Sequence, residues 1–420
     1  MLVESNALPA FGRSTQSPAL SFTPAYVYDA AVLRGRVAVL RGLFGDLFRI
    51  SYAIKSNPNP AVLRIMAAEA DHLDASSWAE VIRALEAGGA PRAITWSGPG
   101  KRLAELRALA APGRARGVAL VAEGLDEIDD IARLSAEHGV VQDVLIRINP
   151  DHVPRGFGAS MSGKPSQFGI DEAAVPEAVA HVDAQPALRL AGFHVYTGSN
   201  CLSADAIVEN FANMARLFRE LSRDGTRVLD KLIFGAGFGL PYHAGQADLD
   251  VAAVRAGIAP LVAGLRALPG LAGAAFVLEL GRWLSGPAGA LVTEVLAVKD
   301  SRGQRIAVCD AGFNNHLAAC GMMGSVFRKD YPIANLTGAA RPPEEVRLTG
   351  PLCTSIDALA GPLPLPRVAR GDRLAVMLSG AYGLTASPTR FISHPDPVEL
   401  MLDGDSLRDV SETAMNHVLP

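Results

Sequence analysis

Lys55 is the residue of this chain whose type and position carry the most chemical information. It follows an apolar run in the segment Ser51-Tyr-Ala-Ile-Lys-Ser-Asn57, a pattern that predicts a β-strand ending near the lysine. A lysine amine held at a strand end and partly shielded from water can form a Schiff base with a carbonyl cofactor. Most lysines at strand ends are simply solvated, so this interpretation needs support from other segments.

Polar and ionisable residues also end the other predicted strands. Any one of them is most simply a solvated strand cap, but a full set at one end of apolar strands favours a binding site. In chain order these residues are Asp74, Ser76, Ser97, Glu123, Arg147, His194 and Glu279.

A glycine run follows the seventh predicted strand, at Gly235-Ala-Gly-Phe-Gly239. Glycines let backbone N–H groups approach an anion closely, and barrel enzymes often bind phosphate after strands seven and eight. Arg282, just past the eighth strand, would supply a guanidinium group to the same phosphate. Glycine-rich turns are common, so only the combination predicts a phosphorylated cofactor or substrate.

Glu279 and His194 each have a structural and a functional interpretation. The carboxylate of Glu279 ends an apolar strand and either pairs with Arg282 or Arg147, or keeps the ring nitrogen of pyridoxal phosphate protonated. His194 follows an apolar run and is either a hydrogen-bonded core histidine or an imidazole against a cofactor face. The residue types alone leave both alternatives open.

A regular alternation of short β-type and longer helix-type segments positions these residues. Eight such units in succession predict a parallel (β/α)8 TIM barrel, with an open doubly wound sheet as the alternative. The predicted strands are Ser51–Ser56, His72–Ser76, Ala93–Gly98, Val118–Glu123, Asp143–Asn149, Leu188–Tyr196, Lys231–Gly235 and Ala275–Leu280.

The sequence pattern changes after about residue 282, where short β-rich runs alternate with Gly, Pro and Asp. This predicts a C-terminal, mostly antiparallel β-domain, to which Pro24–Tyr28 is expected to add a strand. We therefore divide the chain into a cofactor-binding barrel at residues 30–281 and a β-domain formed by residues 1–29 and 282–420. The strands expected in the β-domain are Ala288–Val298, Arg305–Asp310, Glu345–Leu348 and Arg373–Leu378.

Composition and charge exclude several classes of function. A net charge of −4 over 420 residues and a pI near 6.2 give no basic surface for nucleic acid or an anionic membrane. No apolar run has transmembrane length, and the N-terminus lacks a signal-peptide pattern. The four cysteines show neither metal-ligand nor disulfide spacing. We therefore expect a cytoplasmic protein without a bound metal.

A series of motifs in a characteristic order makes the chain resemble the fold-type III pyridoxal-phosphate decarboxylases. This family includes the diaminopimelate, ornithine and arginine decarboxylases, and the resemblance covers nearly the whole chain. The motifs are Tyr52-Ala-Ile-Lys-Ser-Asn57, Leu73-Asp-Ala-Ser-Ser-Trp-Ala-Glu80, Arg147-Ile-Asn-Pro150, Gln167-Phe-Gly169, Gly192-Phe-His-Val-Tyr-Thr-Gly-Ser199, Gly235-Ala-Gly-Phe-Gly239, Glu279-Leu-Gly-Arg282, Gly350-Pro-Leu-Cys353 and Gly380-Ala-Tyr382.

The resemblance implies an alanine-racemase-like barrel, pyridoxal 5'-phosphate as the cofactor and a homodimer with shared active sites. It implies that Lys55 carries the cofactor in a Schiff base, that His194 stacks on the ring and that Glu279 pairs with the ring nitrogen. Asp74, Glu80 and Arg147 would order the lysine and its surroundings. The residues implied to hold the phosphate are Ser199, Gly237 and Gly239 through their backbone, Arg282 and Tyr382.

The resemblance also implies that Cys353 comes from the second subunit and protonates the α-carbon after carbon dioxide leaves. Without it, a lone cysteine is most simply a small buried apolar residue. Racemases that share the barrel pair the ring nitrogen with arginine, which weakens the ring as an electron sink. The carboxylate of Glu279 therefore favours decarboxylation over racemisation.

The residues after Cys353 bear on the substrate. Family members that act on diamino acids carry an acid directly after the cysteine, whereas Thr354 and Ser355 follow here and Asp357 is the next acid. A hydroxyl group cannot neutralise the distal ammonium of such a substrate once water is excluded. Free diamino acids are therefore less favoured, although Asp357 leaves that alternative open. The residues expected at the substrate are Arg147, Cys353, Thr354 and Asp357.

Four segments are most similar to the branch that decarboxylates conjugated amino acids: Ser97-Gly-Pro-Gly-Lys101, His194-Val-Tyr-Thr-Gly198, Gly350-Pro-Leu-Cys-Thr354 and Ser379-Gly-Ala-Tyr-Gly-Leu384. This branch includes the glutamyl-carrier-protein decarboxylase of butirosin biosynthesis and enzymes of siderophore assembly. The expected function is α-decarboxylation of a conjugated or carrier-tethered amino acid in specialised metabolism, with an acyl or peptidyl carrier protein as a possible partner. The alternatives are a diaminopimelate or other free diamino acid decarboxylase, a racemase, and an inactive homologue that regulates a partner by forming mixed dimers.

Overall fold

The structure, a computed structural model, describes residues 22–160, 162–223, 227–322 and 330–412. Short strands alternate with helices as far as residue 280, and strands predominate after it. The strands are β1 (Ala25–Asp29), β2 (Arg49–Ala53), β3 (His72–Ala75), β4 (Ile94–Trp96), β5 (Ala119–Ala122), β6 (Gln142–Asn149), β7 (Ala159–Ser160), β8 (Ile170–Asp171), β9 (Leu188–Val195), β10 (Gly198–Ser199), β11 (Lys231–Gly235), β12 (Ala275–Leu280), β13 (Gly289–Ser301), β14 (Gln304–Cys309), β15 (Ile333–Asn335), β16 (Pro343–Thr349), β17 (Ala358–Pro366), β18 (Arg373–Val376), β19 (Val398–Asp403) and β20 (Ser406–Asp409).

Short polar side chains begin several helices by accepting a hydrogen bond from a backbone N–H group in the first turn. Asp29, Asn59, Ser77, Ser203 and Asp250 all act in this way. The helices are α1 (Ala30–Phe44), α2 (Pro60–Glu69), α3 (Trp78–Glu86), α4 (Leu103–Ala110), α5 (Leu125–Glu137), α6 (Val175–Asp183), α7 (Ala204–Leu221), α8 (Val251–Arg266) and α9 (Arg282–Ser285). In the part of the chain that the structure describes, none of them is both long and apolar enough to cross a membrane.

Eight parallel strands close into a barrel in the order β2-β3-β4-β5-β6-β9-β11-β12, with β12 pairing back to β2. The second sheet runs β17-β16-β14-β13-β1-β19-β20, with β18 on β13, and most of its pairings are antiparallel. The predicted fold class, a (β/α)8 barrel with a mostly antiparallel β-domain, is therefore confirmed. The extra strand expected near Pro24–Tyr28 is β1, which lies between β13 and β19.

Small and branched apolar residues fill the middle of the barrel. Because side chains alternate along a strand, Val121, Leu145 and Val277 share the inward face with Glu123, Arg147 and Glu279, which come two positions later. Ile233 shares this face in the same way with Gly235. The outward face of each strand packs against the helices in the main hydrophobic core. This apolar belt, defined as Ala119, Val121, Leu145, Ala191, Ile233 and Val277, separates the two ends of the barrel interior.

Candidate active site

Lys55 lies in one turn of 3-10 helix, Ile54–Ser56, directly after β2. β2 thus ends at Ala53, three residues before the predicted end of this strand at Ser56. Its amine lies 3.9 Å from Asp74 Oδ2, and its side chain is about one-third exposed while that of Asp74 is buried. Burial lowers the pKa of Lys55, but the carboxylates of Asp74 and Glu279 outweigh it and raise this pKa above its ordinary value. The amine therefore stays close to the carboxylates at the mouth of the barrel.

Asp74 is held in place from the neighbouring strand. Ser97 Oγ donates to Asp74 Oδ2 at 3.1 Å and Thr95 Oγ1 donates to Oδ1 at 3.3 Å. Burial, and then the nearby charge of Glu279, raise the pKa of Asp74 to about 8, while Lys55 opposes the rise. The position of this carboxylate, and hence of the amine that faces it, is fixed by two hydroxyl groups.

His194 and Glu279 form a buried pair, with His194 Nε2 and Glu279 Oε2 separated by 3.0 Å. Burial lowers the pKa of His194. Burial raises the pKa of Glu279, but its hydrogen bond and charge interaction with His194 bring the net shift below the ordinary value. Because an ionised carboxylate only accepts hydrogen bonds, His194 Nε2 carries the proton and donates to Glu279 Oε2. Glu279 Oε1 and His194 Nδ1 then remain buried without a hydrogen-bond partner among the described residues.

Arg147 forms a salt bridge with a second buried carboxylate, that of Glu123. Arg147 Nη1 donates to Glu123 Oε1 at 3.0 Å, and the backbone N–H groups of Gly98 and Gly169 donate to the same carboxylate at 2.7 Å each. These contacts, chiefly the charge of Arg147, hold the pKa of Glu123 below its ordinary value although burial raises it. Glu123 was recognised from the sequence only as a strand-end residue, and the structure shows it anchoring Arg147.

The glycine run after β11 packs against the loop that carries Ser199. Gly237 has φ +66°, and a Cβ there would lie 2.5 Å from the Phe157 ring. The Gly239 N–H donates to the Cys201 carbonyl oxygen at 2.8 Å, so this amide is not free to bind a phosphate. The Gly237 N–H, in contrast, has no acceptor in the described ranges. Ser199 is buried in β10, next to this run.

Arg282 lies between two tyrosines at the start of α9. Its Nη1 donates to Tyr242 Oη at 3.1 Å, and its guanidinium group stands 4.6 Å from the centre of the Tyr382 ring. Its Nε is buried and has no hydrogen-bond partner among the described residues. Tyr382 comes from the β-domain and is tied to the lysine turn because its N–H donates to the Ser56 carbonyl oxygen at 2.8 Å. Tyr242 was not predicted, since an aromatic residue in an irregular loop gives no periodic signal.

The other β-domain residues lie apart from this group. Cys353 is exposed, and no described contact joins its thiol to Lys55 of the same chain. Thr354 is half-buried beside it. The Asp357 carboxylate is buried and accepts hydrogen bonds from the N–H groups of Phe313, at 2.9 Å, and Leu352, at 2.8 Å.

The barrel mouth has the groups that pyridoxal phosphate needs. Lys55 supplies a partly accessible amine, and Glu279 Oε1 is a buried acceptor with no protein donor in the described residues. The Gly237 N–H and the Arg282 Nε are donors still lacking an acceptor in that part of the chain. An amine for the aldehyde, an anion for the ring nitrogen and donors for the phosphate are thus present at one end of the barrel, and the residues fit the cofactor.

Residues 33–286 match the sequence profile of the family described as "Pyridoxal-dependent decarboxylase, pyridoxal binding domain". The chain is 31% identical over 386 residues to the L-glutamyl-[BtrI acyl-carrier protein] decarboxylase of Niallia circulans, covering 90% of this chain and 88% of that protein. It is also 31% identical over 387 residues to the diaminopimelate decarboxylase of Archaeoglobus fulgidus, covering 91% and 88%. The crystal structure of Helicobacter pylori diaminopimelate decarboxylase with L-lysine superimposes with a TM-score of 0.83 at 26% identity, covering 95% of each chain.

Proposed function

The chain belongs to the pyridoxal-dependent decarboxylases, and from this premise we propose that it removes the α-carboxyl group of an amino acid that is conjugated or tethered to a carrier protein. The enzyme is a carboxy-lyase that uses pyridoxal 5'-phosphate. One observation supports decarboxylation as the reaction type. Glu279 is paired with His194 and has a second carboxylate oxygen without a partner among the described residues. The substrate class is argued from the loop that follows Cys353.

Pyridoxal phosphate, when bound, supplies an electron-accepting ring that stabilises the negative charge left after a carboxyl group departs. Lys55 would hold it through its amine, and Asp74 orients that amine from 3.9 Å. Glu279 would hold a proton on the ring nitrogen through Oε1, while His194 fixes the carboxylate through Oε2. A buried, ionised carboxylate at this position favours the strong electron sink that decarboxylation requires.

Four groups would bind the phosphate: Ser199, the Gly237 N–H, Arg282 and Tyr382. The charge on Arg282 persists because burial, which lowers its pKa, is outweighed by the neighbouring Tyr242 and Tyr382, and the net pKa is raised. A charged guanidinium group with a buried, unpaired Nε is a strong donor for an anion. The Gly239 amide, which donates to Cys201, would act by shaping the turn.

Cys353 would act on the barrel of a second copy of the chain. It is exposed in its own subunit, and so is Ile356 three residues later, with 58% of its surface accessible. An exposed apolar residue beside an exposed thiol fits a surface that a partner covers. We therefore propose a homodimer in which each Cys353 gives a proton to the α-carbon at the other subunit's site.

The loop after Cys353 favours a substrate without a free distal ammonium group. Thr354 and Ser355 carry hydroxyl groups, and Asp357 is buried with both carboxylate oxygens hydrogen-bonded to backbone N–H groups. No carboxylate in this loop is therefore left to neutralise a distal ammonium. A side chain that is conjugated, or tethered through a thioester, has no such need. The similarity to a glutamyl-carrier-protein decarboxylase supports this substrate class.

A free diamino acid is the second candidate, because the diaminopimelate decarboxylase of Archaeoglobus fulgidus matches the chain at the same 31% identity. Carbon dioxide release would be measured from glutamyl-carrier thioester, aminoacyl and citryl conjugates, free glutamate and free meso-diaminopimelate, with the Lys55→Ala variant as the blank. Release from one of the conjugates well above that from the free amino acids is the expected result. Efficient turnover of meso-diaminopimelate alone would overturn the proposal in favour of the second candidate.

A further inference from the structure

A cavity opens at the N-terminal end of the barrel, opposite the site at Lys55. Its volume is about 670 Å³. Lys231 begins β11 and Ala119 begins β5, so both line the end of the barrel where the strands start. The cavity extends into the barrel because two of its inward residues, Ala119 and Ala191, are small.

The apolar belt separates this cavity from the catalytic mouth. Ile233 lies between Lys231 and Gly235 on the inward face of β11, and Leu145 lies between Asp143 and Arg147 on β6. On β6 an apolar side chain thus separates two charged ones, and on β11 Ile233 separates Lys231 from the glycine run that begins at Gly235. A ligand in the cavity at the N-terminal end of the barrel would not enter the site that holds the cofactor.

Lys231 is a largely buried lysine at the start of β11. The residue is 9% exposed, and no hydrogen bond or ion pair joins its amine to another residue within the described ranges. Burying an ammonium group without a partner is costly. Burial accordingly lowers the pKa of Lys231 to about 8, although the charges of Asp143 and Asp230 oppose the shift.

The charges that face Lys231 are mostly neutralised or positive. Arg189 binds both nearby carboxylates, with Nε 2.7 Å from Asp143 Oδ1 and Nη2 2.6 Å from Asp230 Oδ2. His72, near Lys231 on β3, has its pKa lowered to about 4 by burial and then by Lys231, so it is neutral. Arg92 and Arg116 are exposed at the rim of the cavity and add two further cations.

We propose that this cavity is a second binding site, which takes an organic carboxylate with an apolar chain. The carboxylate would pair with the Lys231 amine, and the chain would lie against Ala119, Leu145 and Ala191. Cavities of this size hold small organic molecules, with a few polar groups fixing their orientation. The inference stands apart from the choice of amino acid substrate, because the cavity lies on the far side of the apolar belt.

Calorimetric titration of the holoenzyme with octanoate, acetate and octan-1-ol tests the proposal. Octanoate combines both required features, so it should bind at least about tenfold more tightly than acetate or octan-1-ol. Lys231→Met should weaken octanoate binding by roughly tenfold or more, and Arg116→Gln, at an exposed position, by a few-fold. The matched control Lys299→Met, an exposed lysine of β13, should bind octanoate as the native enzyme does.

Proton linkage gives an independent measurement. Since the carboxylate binds the protonated amine, octanoate affinity should fall by about tenfold per pH unit above a pH of about 8 in the native enzyme and stay flat in Lys231→Met. Octanoate that binds equally well to both proteins, or that competes with the amino acid substrate, would place it at the catalytic mouth and overturn the proposal. Neither result would change the decarboxylase activity measured without octanoate.

Discussion

At the scale of single residues, the most informative atom is the second carboxylate oxygen of Glu279. Glu279 Oε2 is paired with His194, while Oε1 is buried and has no donor in the described part of the chain. Leaving a charged acceptor in that state costs free energy unless a ligand supplies the missing donor. The protonated ring nitrogen of the cofactor is such a donor, and this defines the role that we propose for the residue.

Replacing this carboxylate by an amide should remove the charge while keeping the shape. In Glu279→Gln we expect kcat to fall by roughly 10²–10³, because an amide does not hold a proton on the ring nitrogen. The visible absorption band of the lysine-bound cofactor should persist, since Lys55 is unchanged. Steady-state carbon dioxide release and absorption spectra measure the two effects. Glu294→Gln, on β13 away from the site, serves as the control, and an active Glu279→Gln enzyme would contradict the assignment.

Thr354 provides a test of substrate selection. An aspartate at this position would add the charge that a distal ammonium requires, so Thr354→Asp should raise kcat/KM for free meso-diaminopimelate by roughly tenfold. The same change should lower turnover of a glutamyl-carrier substrate. Thr354→Asn, with the same size and no charge, is the matched control. Equal rates for the Asp and Asn variants would show that charge at this position does not select the substrate.

At the scale of elements, the sequence predicted where the barrel strands lie because a polar residue or a glycine ends each apolar run. β11 and β12 have the predicted bounds, and β6 differs by one residue at its start. The 3-10 turn that carries Lys55 could not be predicted, since it depends on tertiary contacts. Asn57 Nδ2 donates to the Gly380 carbonyl oxygen at 2.9 Å, and the Tyr382 N–H donates to Ser56.

The sequence also could not predict which glycine N–H groups are free to bind a ligand. A glycine run predicts free amides for a phosphate, but it does not show that the Gly239 N–H is taken by the Cys201 carbonyl oxygen. That contact depends on how the loop after β9 folds back on β11. The hydrogen bonds of the Asp357 carboxylate could not be predicted either, because Phe313 is distant in the sequence and the contacts with Phe313 and Leu352 depend on the folded structure.

The role of Gly237 in the glycine run after β11 can be tested, with Gly245 as the matched control position. Gly237 and Gly245 both have positive φ, but only at Gly237 would a Cβ meet another group, the Phe157 ring at 2.5 Å. Gly245→Ala should therefore lower the free energy of unfolding by about 1 kcal/mol through backbone strain alone. Gly237→Ala should cost about 1–3 kcal/mol more because of the clash, and should weaken cofactor binding. Chemical denaturation and cofactor titration measure both, and equal effects of the two variants would contradict this account.

At the scale of the whole molecule, the β-domain supports the barrel of its own chain and also has an exposed surface. Its Gly380 and Tyr382 hold the lysine turn of the same chain, whereas its Cys353 faces outward. One domain thus has two surfaces, one that contacts its own barrel and one that is free to contact another. The outward surface has a role in the reaction only if the active unit contains two chains.

Subunit mixing tests this directly, because Lys55 and Cys353 would then come from different chains at each site. Lys55→Ala and Cys353→Ala homodimers should each be nearly inactive. After dissociation and reassociation of an equal mixture, about half of the dimers are mixed, and each mixed dimer has one intact site out of two, so about one quarter of native activity should return. Carbon dioxide release before and after mixing is the measurement, and light scattering confirms the dimer. If the mixture stays as inactive as its components, Cys353 does not serve a neighbouring barrel, and its exposure in the single chain needs another explanation.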